Sequence, residues 1–83
     1  MFKVVIAPQA QKELRKIPRK YQQAIRLSFF DLKEDPSLGK PLSRELTGRF
    51  SYRVGVYRII YKVNTKDKIV AILTAGHRLT AYR

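Results

Sequence analysis

The hydrophobic period of this 83-residue chain turns from helical to strand-like across the segment EDPSLGKPL at 34–42. Upstream, Ala10, Leu14 and Ile17 recur at helical spacing. So do Tyr21, Ala24, Ile25, Ser28, Phe29 and Leu32, with Lys20, Gln23 and Arg26 on the opposite side. Downstream, RFSYRV (49–54), YRIIYKV (57–63) and KIVAILTA (68–75) read as successive strands. A helical block followed by a strand block predicts an α+β chain rather than alternating βαβ units. One alternating run, FKVVIA (2–7), precedes both blocks. Pro8 suits a first helical turn, where its missing N–H is not needed, and Pro18 ends one helix and starts the next. The expected order is β-α-α-β-β-β: a small antiparallel-rich sheet with an N-terminal helical hairpin packed on one face and the other face open. Residues 1–83 are enough for one core, so a single domain is expected.

Charge narrows the partners. Eighteen Lys and Arg stand against six Asp and Glu, a formal net charge of +12. Such a chain attracts polyanions through counterion release, which points to nucleic acid or an acidic protein. It also repels its own copies, so a monomer is expected when it is free. The sequence has no cysteine and one histidine, which excludes a disulfide framework and a thiolate or multi-histidine metal site. No apolar run approaches the ~20 residues that span a bilayer, and no basic amphipathic stripe is clean enough for a membrane surface. The N-terminal MFKVVIAPQAQ lacks the apolar core and cleavage pattern of a signal peptide, so a cytoplasmic protein is expected.

Strand alternation sorts the candidate site residues. Tyr57, Ile59, Tyr61 and Val63 share one face, and Arg58, Ile60 and Lys62 the other. Arg49, Ser51 and Arg53 share a face of the preceding strand, and a tight GV turn brings Arg53 toward Arg58. With Arg78 beyond the last strand, these guanidinium groups form a candidate phosphate grip, since each binds two oxygens and stays charged. Arginines also alternate on strands merely to keep them soluble. His77 is a candidate general acid, its unperturbed pKa being near 6.5, or an ordinary loop residue. Tyr82 is a candidate base-stacking or proton-donating group, or a residue packed on the sheet edge. The interleaved aromatics and cations of RFSYRVGVYRIIYK suit single-stranded RNA.

The segments LTGRFSYRVGVYRIIYKV and IVAILTAGHRLTAYR, joined by NTKDK, resemble the C-terminal half of the RelE toxins, in the RelE/ParE superfamily. PQAQKELRKIP and GKPLSREL fit the first half, and GVYRIIY and GHRLTAYR are the most specific pieces. The resemblance implies the RelE-like fold and a type II toxin held inactive by a cognate RelB-like antitoxin with an acidic amphipathic helix, in a complex that can be of higher order. It also implies an mRNA endonuclease that acts in the ribosomal decoding site without metal or cofactor. There the 2′-hydroxyl of the message attacks, leaving 2′,3′-cyclic phosphate and 5′-hydroxyl ends. Arg58, Arg78 and Tyr82 match the family's catalytic positions, and Arg53 matches the second of two basic positions on the preceding strand. The first of those is Ser51, where some members carry a lysine proposed as general base. Either His77 or Tyr82 then takes up proton transfer, or Arg49 helps from the same face, or the enzyme is slow; Arg49, Ser51 and Lys62 are the expected RNA-binding positions. Two other classes remain: a ParE-like toxin that inhibits DNA gyrase without cutting RNA, and a small basic RNA-binding module without toxicity.

Overall fold

A computed structural model describes residues 1–77. It has two helices and one mixed sheet: β1 (Lys3–Ile6), α1 (Pro8–Lys16), α2 (Arg19–Glu34), β2 (Lys40–Pro41), β3 (Arg49–Val54), β4 (Tyr57–Asn64) and β5 (Ile69–His77). Short 3₁₀ turns at Pro36–Leu38 and Arg44–Leu46 flank β2. The strand order is β1-β5-β4-β3-β2. The β3, β4, β5 meander is antiparallel, as expected, and β1 adds to β5 in parallel. The two-residue β2 is an addition to the expected order. It pairs with the start of β3 and sits inside a segment whose Pro and Gly content reads as loop.

Each helix begins and ends where proline allows. Pro8 is the first residue of α1, and Ala7 before it supplies no side-chain cap. The end of α1 is capped from the other helix: Gln22 Nε2 donates to the Leu14 carbonyl at 2.9 Å and to the Ile17 carbonyl at 2.8 Å. One amide thus satisfies two helix-end carbonyls and ties the hairpin together. On α2 the buried face is Ile25, Ser28, Phe29 and Leu32. Ala24 is exposed and Tyr21 is 37% exposed, so the expected inner stripe is narrower at its start. In the first turn of α2 the Tyr21 ring lies 5.3 Å from that of Tyr57 on the sheet. Between helices and sheet, Ala10, Ile17, Ile25, Phe29 and Leu32 pack on Ile59, Tyr61, Val70, Ile72 and Ala75.

Two tight turns set the meander. Gly55 adopts φ +62°, and Val56 after it keeps a negative φ, a pattern that matches the right-handed twist of the paired strands. In the next turn the Asn64 carboxamide accepts from the Asp67 N–H and donates to its carboxylate, both at 3.0 Å.

Tyr61 fastens the helical half to the sheet. Its ring is fully buried in the centre of β4, and its hydroxyl donates to the Pro36 carbonyl at 2.6 Å. The same oxygen accepts from the Gly39 N–H at 2.9 Å. A Cβ at Gly39 would fall within contact distance of that hydroxyl and of the ring edge, so only glycine fits. Burial raises the Tyr61 hydroxyl above its ordinary pKa of 10.0.

Tyr61→Phe should cost about 1–3 kcal/mol, because it leaves the Gly39 N–H without its acceptor. For a domain of this size that lowers the melting temperature by several degrees, on the order of 4–8 °C per kcal/mol. Gly39→Ala should be destabilising too, and less so in the Tyr61→Phe background, a coupling that a double-mutant cycle in urea reads out. The sign of the pH dependence follows from the raised pKa. The contribution of Tyr61 is fully present below the unfolded value of 10.0 and is lost as pH rises through the higher folded value. Tyr61→Phe should therefore flatten the alkaline fall in stability.

Candidate nucleic-acid interface

The sheet face turned away from the helices is built from in-register rungs. Arg53 pairs with Arg58, Ser51 with Ile60, and Arg49 with Lys62. On β5, Gly76 lies opposite Arg58, Thr74 opposite Ile60, and Ala71 opposite Lys62. Two of the three rungs therefore set like charges directly across from each other, an arrangement that destabilises an antiparallel pair. Lys40 of β2 pairs with Ser51 and adds a further cation to this face. None of the five strands contains an acidic residue, although the chain has six.

The middle rung is covered: Ile60 is 3% and Ser51 8% exposed. The face is thus less open than the alternation alone implies. Its cations stand as two rows on either side of this covered rung of Ser51, Ile60 and Thr74. Arg58 is half-buried with its Nε shut off from solvent, whereas Arg53, Lys62 and Lys40 are exposed. Arg53 Nε reaches the carbonyl of Gly55 at 3.4 Å, toward the turn. The residue across from Arg58 on β5 is Gly76, which itself places no side chain beside that guanidinium. The Thr74 hydroxyl, buried on the same side, has no hydrogen-bond partner among the described residues.

A single extra residue decides what β5 contributes. Ile72 pairs with Tyr61 and Thr74 with Ile60, leaving Leu73 between them without a partner, as a bulge. Strict alternation from Val70 and Ile72 would put Thr74 and Gly76 in the core. The bulge reverses this, so Ala75 is the core residue and His77 faces the helix side with it. The His77 ring there meets Tyr57 edge-on, with centroids 6.3 Å apart and an interplanar angle of 75°.

Of the sequence-predicted residues, the fold brings together Arg49, Ser51, Arg53, Arg58 and Lys62. It sets His77 on the opposite face of the sheet from Arg58. Arg78 and Tyr82 lie outside the described residues. Lys40 and Thr74 join the face without having been selected from the sequence. A two-residue strand gives no period to detect, and the bulge inverts the parity on which Thr74 depends. Among the described residues no three or more His, Cys, Asp or Glu side chains gather as metal ligands would, and no helix is long and apolar enough to cross a membrane.

Residues 4–82 match the sequence family described as the ParE toxin of type II toxin–antitoxin system, parDE. Toxin RelG of Mycobacterium tuberculosis is 41% identical over 76 residues, covering 89% of this chain and 87% of the relative. Toxin RelE of the same organism is 33% identical, covering 99% of this chain and 87% of the relative. The fold is similar to that in the M. tuberculosis toxin–antitoxin complex RelBE2. The TM-score is 0.85 and the identity 38%, over 93% of this chain and 98% of that one. An archaeal RelE–RelB complex from Pyrococcus horikoshii gives a TM-score of 0.77 at 28% identity, over 96% of this chain and 98% of that one. A profile match over nearly the whole chain, full-length relatives and the shared fold converge: this chain belongs to the ParE toxin family, as a type II toxin of the RelE/ParE superfamily.

Proposed function

We propose that this toxin is a ribosome-dependent mRNA endonuclease acting in the cytoplasm. The observation that carries the proposal is the pair of like-charged rungs, Arg53/Arg58 and Arg49/Lys62, with a glycine beside Arg58 and no acid anywhere in the sheet. Stacking like charges costs stability, and that cost is offset when a polyanion seats on the face. In this reading the phosphate to be cut lies in the space beside Gly76. Arg58 faces its non-bridging oxygens, whose charge grows as the 2′-hydroxyl attacks and a pentacovalent phosphorane forms. Arg53 neutralises the same group from the adjacent strand, while Arg49, Lys62 and Lys40 hold flanking phosphates. The bond formed joins the 2′-oxygen to phosphorus, and the bond broken joins phosphorus to the 5′-oxygen. The products are a 2′,3′-cyclic phosphate and a 5′-hydroxyl, the latter taking up one proton. Ser51 supplies no general base, being a buried alcohol. With His77 on the far face, Tyr82 is assigned the proton transfer and Arg78 the second phosphate contact, both on the strength of the RelE resemblance. A nearly flat face does not enclose a flexible strand, so the decoding site supplies the orientation.

The partner that silences it is a RelB-like antitoxin presenting an acidic amphipathic helix. The similar RelBE2 and RelE–RelB structures are toxin–antitoxin complexes, and a net charge of +12 favours an anionic partner. One observation favours a second reading. The matched family is described by its ParE members, so inhibition of DNA gyrase without RNA cleavage is the alternative. Cells expressing the toxin should accumulate cleaved messages if the first reading holds, and DNA damage with intact messages if the second does.

Arg58→Ala should lower single-turnover cleavage on programmed ribosomes by about 10²–10³-fold, the equivalent of ~2.7–4 kcal/mol of barrier. Arg53→Gln should weaken cleavage while raising the melting temperature at low ionic strength, since it removes one of two facing charges. The stability gain should shrink as salt screens the pair. A stability loss that salt leaves unchanged would show that the rung is held by something other than a bound anion. Co-purified toxin and antitoxin should stay together at physiological ionic strength. Separation there would mean that charge alone, without a packed helix, joins them.

A further inference from the structure

The catalytic end of β5 is held by a carboxylate from the first helix. Strand β1 ends at Ile6, opposite Ile72, so beyond Ile72 the outer edge of β5 has no neighbouring strand among the described residues. Ala75 lies on that stretch and is 1% exposed, which leaves its amide no access to solvent. The Glu13 carboxylate fills the gap: its Oε1 accepts the Ala75 N–H at 3.1 Å, across 62 positions of sequence. Glu13 is the only acidic residue of α1 and is half-buried against β5. With Tyr57, Ala75, Gly76 and His77 it lines a shallow cavity of about 290 Å³.

We propose that Glu13 is a positioning residue for RNA cleavage. It acts through Ala75, fixing the stretch that places Gly76 beside Arg58 and leads into Arg78. The proposal rests on the nuclease reading above. The physical case has three parts. An edge strand without a partner frays, and β5 is unpartnered where the site needs it rigid. A hydrogen bond from a backbone amide to a carboxylate is stronger than one to a neutral acceptor. And phosphoryl chemistry is sensitive to displacements of about 1 Å, which cost on the order of 10²-fold in rate. A helix side chain thus replaces the strand that β1 is too short to provide. Such a residue sits on the opposite side of the sheet from the reacting phosphate and never touches it.

The test compares Glu13→Ala with Glu13→Gln in the full chain, by amide hydrogen exchange and by single-turnover cleavage of a message on programmed ribosomes. Cleavage is measured well below the melting temperature of each variant and expressed per folded molecule. In Glu13→Ala the amide of Ala75 should exchange on the order of tenfold faster. The saturating cleavage rate should fall by roughly ten- to a hundredfold, with the half-saturating ribosome concentration unchanged. Glu13→Gln keeps an oxygen acceptor, though a neutral and weaker one, and should restore most of both. Faster exchange with an unchanged saturating rate reduces Glu13 to a structural contact and overturns the proposal, as does unchanged exchange. If the wild-type chain itself leaves the message intact, the nuclease reading fails and this role fails with it, an outcome identified by the wild-type reaction alone.

Discussion

A one-residue slip of β4 against its neighbours would carry Arg58 and Lys62 into the core and push Tyr61 out of it. Everything else in the molecule depends on that register. The central strand has to serve two incompatible environments, a dry interface with the helices and a row of guanidinium and ammonium groups, and alternation is what separates them. The register is fixed at three places. The Gly55–Val56 turn sets β3 against β4, and the Tyr61 hydroxyl ties the middle of β4 to Pro36 and Gly39. The bulge at Leu73 sets where β5 changes phase. Tyr61 is the strictest of these, because a phenolic hydroxyl meets both its donor and its acceptor in only one position along the strand.

The two halves of the chain are therefore not independent modules. The hairpin supplies the apolar surface, and single polar atoms finish its ends: Gln22 closes the hairpin's own turn, and Glu13 reaches the edge of β5. A small domain has little apolar area to spare, so a few well-placed hydrogen bonds carry a large share of its specificity. The charged face lies on the far side of the sheet from both contacts. It is held flat by the core behind it, and its own side chains push apart.

Much of this was legible in the sequence because it is local. Helical spacing, the two prolines, the GV turn and the alternation of YRIIYKV are each contained in a few residues, and they placed Arg49, Ser51, Arg53, Arg58 and Lys62 on one surface. What was not legible is what depends on distant pairing. The parallel contact of β1 with β5 leaves no mark in either strand. β2 is too short to have a period and is recognised only by the ladder it makes with β3. The face of His77 was hidden for a different reason. Alternation carries no information past an unpaired residue, and nothing in AILTAGH marks Leu73 as the one skipped. Tyr21 and Ala24 follow the helical phase, yet both stay exposed, Tyr21 resting on the Tyr57 ring.

The like-charged rungs have a consequence for the lifetime of the protein. Work stored as repulsion between Arg53 and Arg58, and between Arg49 and Lys62, is released whenever a polyanion occupies the face, so binding and folding free energies add. Any such ligand raises the melting temperature in proportion to the logarithm of its concentration over its dissociation constant. On the proposed function, the free toxin is then less stable than the toxin with an anionic partner seated on this face. It is the form most open to proteolysis and the one whose abundance falls first when no anionic partner is at hand.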